Sequence, residues 1–439
     1  METLKLIVAA LGVIAVVVLL IKKFETKTVL IGVGLILCVL SLKPMLALGA
    51  FTSYMTKAGL IKAICASMGF AFVMKYTKCD KHLVKLLTNP LRNIGFLLIP
   101  LTVLVTYFIN IAIPSASGCS AAVGATLIPL LMASGVRADM AAAAVFAGTF
   151  GGVLSPGSAH NNYITDLVKK TNPEFTVQEV IKVQLPSALV ALVVTLFAIS
   201  VVAYLLKDYQ KGKNFMLEPN LIDSQQDDAE NGEPVNYLYA VMPLVPLFIL
   251  IVGATSLKEL PFLAWTNMGV AEAMILGAIL TIFVTLTNPQ HITKEFFNGM
   301  GKAYANVIGI IIAAGVFVVG LKSCGAIDAV IEVLKSEQEY VKFGGTFVPF
   351  LMGMVTGSGD AAAFAFNQAV TVKATELGFD QATLGMAVAI AGALGRTASP
   401  IAGACIVCAG IAGANPIQIA KRTGLGMLIS ICVIAFIIL

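Results

Sequence analysis

The sequence predicts an all-α polytopic membrane protein built from two inverted repeats. Three observations carry that reading: an apolar composition, hydrophobic runs of membrane-crossing length, and an internal register that repeats. The 439 residues are 58% hydrophobic and 12% charged, against roughly 45–50% and 25% in soluble domains. Such a chain has too little polar surface to cover itself in water. A mean hydropathy of +0.91 agrees, and many apolar stretches approach the roughly 20 residues a helix needs to cross a bilayer.

Runs suited to membrane helices begin near Leu4, Thr28, Leu60, Gly95, Met140 and Leu185, and again near Leu238, Met268, Ala303, Thr346, Leu384 and Leu425. Met1 to Leu20 has an acidic start and no small-residue cleavage site, so it reads as a first membrane helix and not as a signal peptide. The stretch 207–236 carries Asp208, Glu218, Asp223, Asp227, Asp228, Glu230 and Glu233 and is too polar for lipid. It divides a first repeat, 1–206, from a second, 237–439. Short amphipathic pieces, Asp80 to Leu91 and Ala326 to Glu337, precede the hairpin of each half and can lie along the interface.

The halves match in order. Phe72-Val73 with Cys79 recurs as Phe317-Val318 with Cys324, Ser117-Gly118 as Ser358-Gly359, Ser155-Pro156 as Ser399-Pro400, and Gln178 with Lys182 as Gln418 with Arg422. The offset stays at about 240–245 residues, which four unrelated coincidences would not produce. Inverted repeats need an odd number of crossings each, and five per half result if the Ser-Gly runs are re-entrant hairpins. The expectation is therefore about ten crossings and two hairpins, around 95–134 and 344–377, each followed by a broken helix, around 138–165 and 382–410. One side then collects Lys22, Lys23, Lys27, Arg92, Arg137, Lys207, Lys213, Lys421 and Arg422, among others, and the positive-inside rule makes that side and the linker cytoplasmic. Both termini would face outward.

The net charge of +5 belongs to such loops, and no basic run with interleaved aromatics suggests nucleic acid. The eight cysteines are scattered through apolar helices as packing residues. Cys405 and Cys408 form a CxxC, but no second pair or nearby His makes it a metal or redox site.

The candidate site comes from the helix interruptions. Ile113-Pro114-Ser115-Ala116-Ser117-Gly118 and Thr356-Gly357-Ser358-Gly359-Asp360 break apolar stretches in mid-membrane, which is tolerated only beside protein or a watery cavity. A hairpin tip there offers N–H groups, hydroxyls and a helix N-terminus to an anion. Ser115, Ser117, Gly118, Thr356, Gly357, Ser358 and Gly359 are therefore candidate substrate-binding residues. The second pair of breaks is Ser155-Pro156-Gly157-Ser158-Ala159-His160-Asn161 and Arg396-Thr397-Ala398-Ser399-Pro400, where proline unwinds the helix. Freed carbonyls can hold a cation and freed amides an anion. The small-residue runs Ala141 to Gly152 and Ala387 to Ala393 let neighbouring backbones approach closely.

Arg396 near mid-membrane costs at least about 2.5–3.5 kcal/mol unless it faces a cavity or partner. Its planar fork suits a carboxylate; the alternative is a structural pair with Asp360 or Asp166. Thr397 and Ser399 join it as substrate candidates, while Ser155, Ser158, His160, Asn161 and Asp360 are candidates for a coupling Na+ or H+. No cofactor or bound metal is expected, and no HExxH, Walker loop or catalytic triad supports an enzyme. A channel would not need two matched repeats.

Ala303 to Gly325 (AYANVIGIIIAAGVFVVGLKSCG), the TGSGD segment from Thr356, Leu394 to Pro400 (LGRTASP) and Ala420 to Thr423 (AKRT) resemble the DcuC-type anaerobic C4-dicarboxylate carriers. The likeness covers essentially the whole chain and is strongest in the second half. That family belongs to the ion transporter superfamily, and the resemblance implies a homodimer with a static scaffold and an elevator-type transport domain. It implies that Ser115, Ser117, Thr356, Ser358, Thr397 and Ser399 surround a C4-dicarboxylate such as succinate, fumarate or malate. It further implies alternating access in a bacterial inner membrane, by exchange or cation coupling. Another organic anion, such as citrate, a monocarboxylate or an amino-acid derivative, is the alternative. Two positions depart from the family pattern: Asp360 stands where the family has an Asn, and His160 where it has an Asp.

Overall fold

The computed structural model describes residues 2–22, 24–56, 58–88, 95–211, 215, 234–254, 264–266, 268–329, 332 and 338–438. The acidic linker residues from Glu218 to Glu233, together with Lys23, Arg92, Lys213 and most of the second amphipathic piece, lie outside the described residues. Within them the backbone is almost wholly helical, and the β-type pairing is an isolated bridge between Val136 and Tyr209.

The first half runs through α1 (Glu2–Ile21), α2 (Thr26–Leu40), α3 (Pro44–Met55), α4 (Ala58–Tyr76), α5 (Cys79–Thr88), α6 (Leu98–Ala112), α7 (Ala116–Ala133), α8 (Ala138–Ala147), α9 (Ala159–Val168) and α10 (Val177–Leu205). The second follows as α11 (Tyr237–Val241), α12 (Val245–Ala254), α13 (Val270–Thr285), α14 (Pro289–Ala303), α15 (Gly309–Ser323), α16 (Gln338–Thr356), α17 (Gly359–Ala369), α18 (Gln381–Thr397), α19 (Gly403–Ala412) and α20 (Pro416–Val433). Among the described residues six helical segments are long and apolar enough to cross a membrane, and five shorter apolar helices accompany them. The protein is a multi-pass membrane protein.

Two helices escaped the hydropathy reading, α3 and α14. Each opens on a proline at its first turn, Pro44 and Pro289, where the missing N–H costs nothing and the fixed φ suits the helix. These prolines are 245 residues apart, in the register of the other matches. A π-turn, Tyr304–Ile308, carries α14 into α15, and the Tyr304 hydroxyl donates to Met55 O at 3.1 Å, tying α15 to the end of α3.

Packing between the halves is reciprocal: α2 and α3 lie along α15, while α13 and α14 lie along α4. Glycines set the closeness. A Cβ on Gly320 would sit 2.7 Å from Gly34 O, and one on Gly299 would sit 2.5 Å from Met68 O, so neither position accepts a side chain.

The largest buried cluster joins α6, α7, α8 and α10 to α18, α19 and α20, with Phe350 of α16. Its innermost helix is α8, in which every residue from Met140 to Ala147 is 0% exposed. A helix apolar on every side belongs at the centre of a bundle. The expected close approach beside the small-residue runs is present: Gly151 packs on Tyr107 O, and Gly395 on Phe350 O, with no room for a Cβ at either.

Candidate functional site

Four interruptions of helix meet at the centre of this bundle. α6 and α7 form an antiparallel pair whose tip is Ile113-Pro114-Ser115; α16 and α17 form a second pair whose tip is Gly357-Ser358. The first helix break follows α8, which tightens into a 3₁₀ run, Gly148–Leu154, and stops at Ser155-Pro156. The second follows α18 at Ala398-Ser399-Pro400.

Tip 1 is held by Asn110, which the hydropathy pattern did not single out. Its Nδ2 donates to Ile113 O at 2.9 Å, and its Oδ1 accepts from Gly152 N at 2.6 Å, so one fully buried amide locks the tip to the first break. The available signal was a lone Asn in an apolar helix four residues before a proline, a polar group that lipid cannot satisfy. Ser115 caps α7 by accepting from Gly118 N at 3.2 Å. Ser117 and Gly118 are exposed, and a Cβ on Gly403 would stand 3.0 Å from Ser117 Oγ. Hairpin 1 of the first half therefore reaches the helix that follows the second-half break.

Tip 2 is built differently. Thr356 Oγ1 donates to Met352 O at 2.7 Å and accepts from Ser358 N at 3.2 Å, bracing the turn from inside. Gly357 has φ +72 and backs onto Ile401 and Ala402 of the second break, so a side chain there would be both strained and obstructed. Ser358 occupies the cap position of α17 without a side-chain cap bond. The N–H groups of that first turn thus remain available to an anion.

At the first break the freed carbonyls already have donors. Asn161 Nδ2 bonds Val153 O and Ser155 O, both at 2.9 Å, and Asn162 Nδ2 bonds Pro156 O at 2.9 Å and Ser158 O at 2.8 Å. Asn161 is fully buried with its Oδ1 unpartnered, and Ser155 Oγ accepts from Gly157 N at 3.3 Å. Ser155, Ser158 and Asn161 thus hold the break together, with at most 9% of each residue exposed.

The second break places its residues unequally. Arg396 is half-buried, and its Nη2 donates across the halves to Thr149 O at 3.0 Å, leaving the rest of the guanidinium fork free of protein hydrogen bonds among the described residues. Thr397 and Ser399 are 0% exposed. The Thr397 hydroxyl bonds Ala393 O at 2.8 Å within its own helix, and Ser399 Oγ accepts from Ile401 N at 3.4 Å, so both are packed away from open space. The pairing of Arg396 with Asp166 or Asp360 is absent from the ion pairs of the described residues.

Asp360 instead meets His160. Nε2 and Oδ1 lie 3.0 Å apart, with the imidazole stacked on Phe364 at a ring separation of 4.1 Å. Three links therefore cross between halves at one place: Ser117 with Gly403, Arg396 with Thr149, and Asp360 with His160. Beside them a mostly apolar cavity of about 580 Å³ opens between Leu20, Phe24, Thr26, Thr356, Pro400 and Pro416, with Thr26, Thr356 and Asn415 as its polar lining. Its size suits a small molecule; of the candidate substrate-binding residues Thr356 lines it, while Arg396, Ser117 and Ser358 do not.

The sequence is similar to known transporters over most of its length. A family profile described as C4-dicarboxylate anaerobic carrier matches residues 45–439. An uncharacterized transporter of Haemophilus influenzae is 48% identical over 287 residues, 65% of this chain and 100% of the relative. The Escherichia coli K12 protein named anaerobic C4-dicarboxylate transporter DcuC is 26% identical over 390 residues, 85% of this chain and 78% of the relative. A Vibrio cholerae protein with a similar name is 28% identical over 394 residues, 85% of this chain and 80% of the relative. This chain belongs to the C4-dicarboxylate anaerobic carrier family, DcuC, a family of carriers and not of enzymes.

Proposed function

We propose that this protein is a secondary active transporter of C4-dicarboxylates such as succinate, fumarate and malate, working by alternating access across the bacterial inner membrane. The observation that carries the reading is an uncapped helix N-terminus at Ser358 whose first turn, through Asp360, lies within electrostatic reach of Arg396, which donates one hydrogen bond to Thr149 O. Together they offer amides, hydroxyls and a fixed cation to an anion, within a chain whose family is described as carrying C4-dicarboxylates.

The reciprocal packing of α2 and α3 on α15, and of α13 and α14 on α4, supports two inverted repeats. So do the two hairpins, each running alongside the broken helix of its own half while its tip reaches toward the other. On this reading the α6–α10 and α16–α20 bundle is the moving transport domain, and α1–α4 with α12–α15 form the scaffold of a homodimer. Ten crossings and two re-entrant hairpins complete the arrangement.

Ligand stabilisation tests the substrate class directly. A ligand that binds only the folded state adds about 2.7 kcal/mol at a hundredfold excess over its Kd. In detergent, succinate, fumarate and malate raise the melting temperature of the purified protein, whereas acetate at the same ionic strength does not. Equal shifts with acetate, or none with any diacid, would remove the four-carbon diacids as substrates.

A further inference from the structure

A carboxylate stands where a dianion is to bind. Asp360 lies on the first turn of α17 beside tip 2, with 56% of its side chain exposed, and Arg396 is within its electrostatic reach. An ionised Asp360 repels a dicarboxylate and competes with it for Arg396, and the low dielectric of a membrane protein strengthens both effects.

His160 answers to the same group. Its ring is sandwiched on Phe364, its side chain is 12% exposed, and its Nδ1 is buried with no hydrogen-bond partner among the described residues. So clamped, the imidazole presents Nε2 to Asp360. The pair joins hairpin tip 2 of the second half to the helix after the first-half break, so it spans two elements that must move apart for the tip to open. Among the described residues Arg396 of α18 and Tyr163, whose ring meets Phe364 edge-on, are the other ionisable groups at this corner; Asp166 is almost two turns further along α9, Lys62 on α4, Lys182 on α10 and Lys322 on α15 are exposed, Lys342 is at the far end of α16, and Lys373 pairs with Asp328 at 3.5 Å.

We propose that Asp360 is the proton-binding residue of transport, taking up one proton together with the dicarboxylate, and that His160 is its positioning residue. The inference rests on the carrier reading above. Protonated, Asp360 is neutral and donates an O–H, so the substrate meets Arg396 without an opposing charge. Deprotonated, it accepts from His160 Nε2–H and offsets Arg396 in the empty site, holding tip 2 closed. The only bond made or broken is O–H: the proton comes from water on one side of the membrane and leaves to water on the other.

The test uses the full-length protein in proteoliposomes with the membrane voltage clamped. Wild type accumulates labelled succinate about tenfold per pH unit of gradient, as one coupled proton requires, and a pH dye reports proton entry with substrate. Asp360→Asn, which mimics the protonated acid, continues counterflow at reduced rate but loses gradient-driven accumulation and the dye signal. His160→Gln keeps an amide donor in place without titrating, so coupling persists while the pH of half-maximal uptake moves.

Accumulation by Asp360→Asn equal to wild type would overturn the assignment, and so would net uptake of succinate into empty proteoliposomes by the wild-type protein with no accompanying proton entry; both leave the carrier reading standing. Absence of counterflow with every four-carbon diacid would instead sink the carrier reading. Should Asp360→Asn fail to reconstitute, Asp360→Glu decides. It retains proton entry with a displaced pH midpoint if the assignment holds, and an unmoved midpoint contradicts it.

Discussion

Asp208 and Arg422 form a buried two-pronged ion pair, with Nε to Oδ2 at 2.8 Å and Nη2 to Oδ1 at 2.9 Å, the aspartate being 0% exposed. Arg137 N donates to Asp208 O at 2.8 Å, and Asp139 stands 3.6 Å from Arg422. The start of the linker after α10, the turn between α7 and α8, and α20 are thereby fastened at one point.

Removing one partner of a buried pair leaves the other charge uncompensated, which costs about 3–5 kcal/mol. Asp208→Asn should fall at the low end because Asp139 is close enough to take over part of the role. Denaturant or thermal unfolding of the purified protein measures this. The double variant Asp208→Leu/Arg422→Met should recover most of the loss, and a single variant as stable as wild type would show that the pair contributes little.

Among the described residues Arg396 makes one protein hydrogen bond, to Thr149 O, and on the proposed reading the remainder of its fork meets the substrate. Arg396→Lys keeps the charge but cannot offer two parallel N–H donors. A charge-assisted hydrogen bond is worth about 1.5–3 kcal/mol, so affinity for succinate should drop on the order of 10–100-fold in a protein that still purifies as a single species. Isothermal titration measures the drop, and an unchanged Kd would take Arg396 out of the site.

Gly395 lies against Phe350 O with no room for a methyl group, whereas Gly410 has nothing within 4 Å of where a Cβ would stand. Gly395→Ala should therefore separate α18 from α16, lowering the melting temperature and abolishing transport. Gly410→Ala should leave both unchanged or gain slightly, since alanine favours helix. Equal behaviour of the two variants in size-exclusion and transport assays would contradict the close packing.

Much of this was legible in the sequence because membrane proteins obey few and strict rules. The apolar runs gave most of the helices, and prolines within them marked both breaks. The register pointed to Ser117-Gly118 and Ser358-Gly359; Ser358 occupies the cap position of α17 at the turn, but Ser117 lies inside the first turn of α7, where Ser115 is the cap. The small-residue runs held the close crossings at Gly151 and Gly392.

What escaped had weaker local signals. α14 is amphipathic and α3 short, so a search for long apolar stretches passes over both, although Pro44 and Pro289 share the register. Asn110 is one polar residue in an apolar helix, and only the fold shows that its two ends reach Ile113 and Gly152. The opposite error touched Thr397: a hydroxyl beside a helix break looks available, but the helix turns it onto Ala393 O. Lys182 and Arg422 match by register yet differ in surroundings, one exposed and the other buried on Asp208, because alignment of positions says nothing of what packs against them.

Counterflow of labelled succinate tests the central claim most directly. Proteoliposomes preloaded with unlabelled succinate should take up label transiently above equilibrium, with fumarate and malate competing at concentrations similar to succinate, and acetate and citrate competing weakly. Failure of all three C4-dicarboxylates to exchange, in protein shown to be folded and inserted, would contradict it.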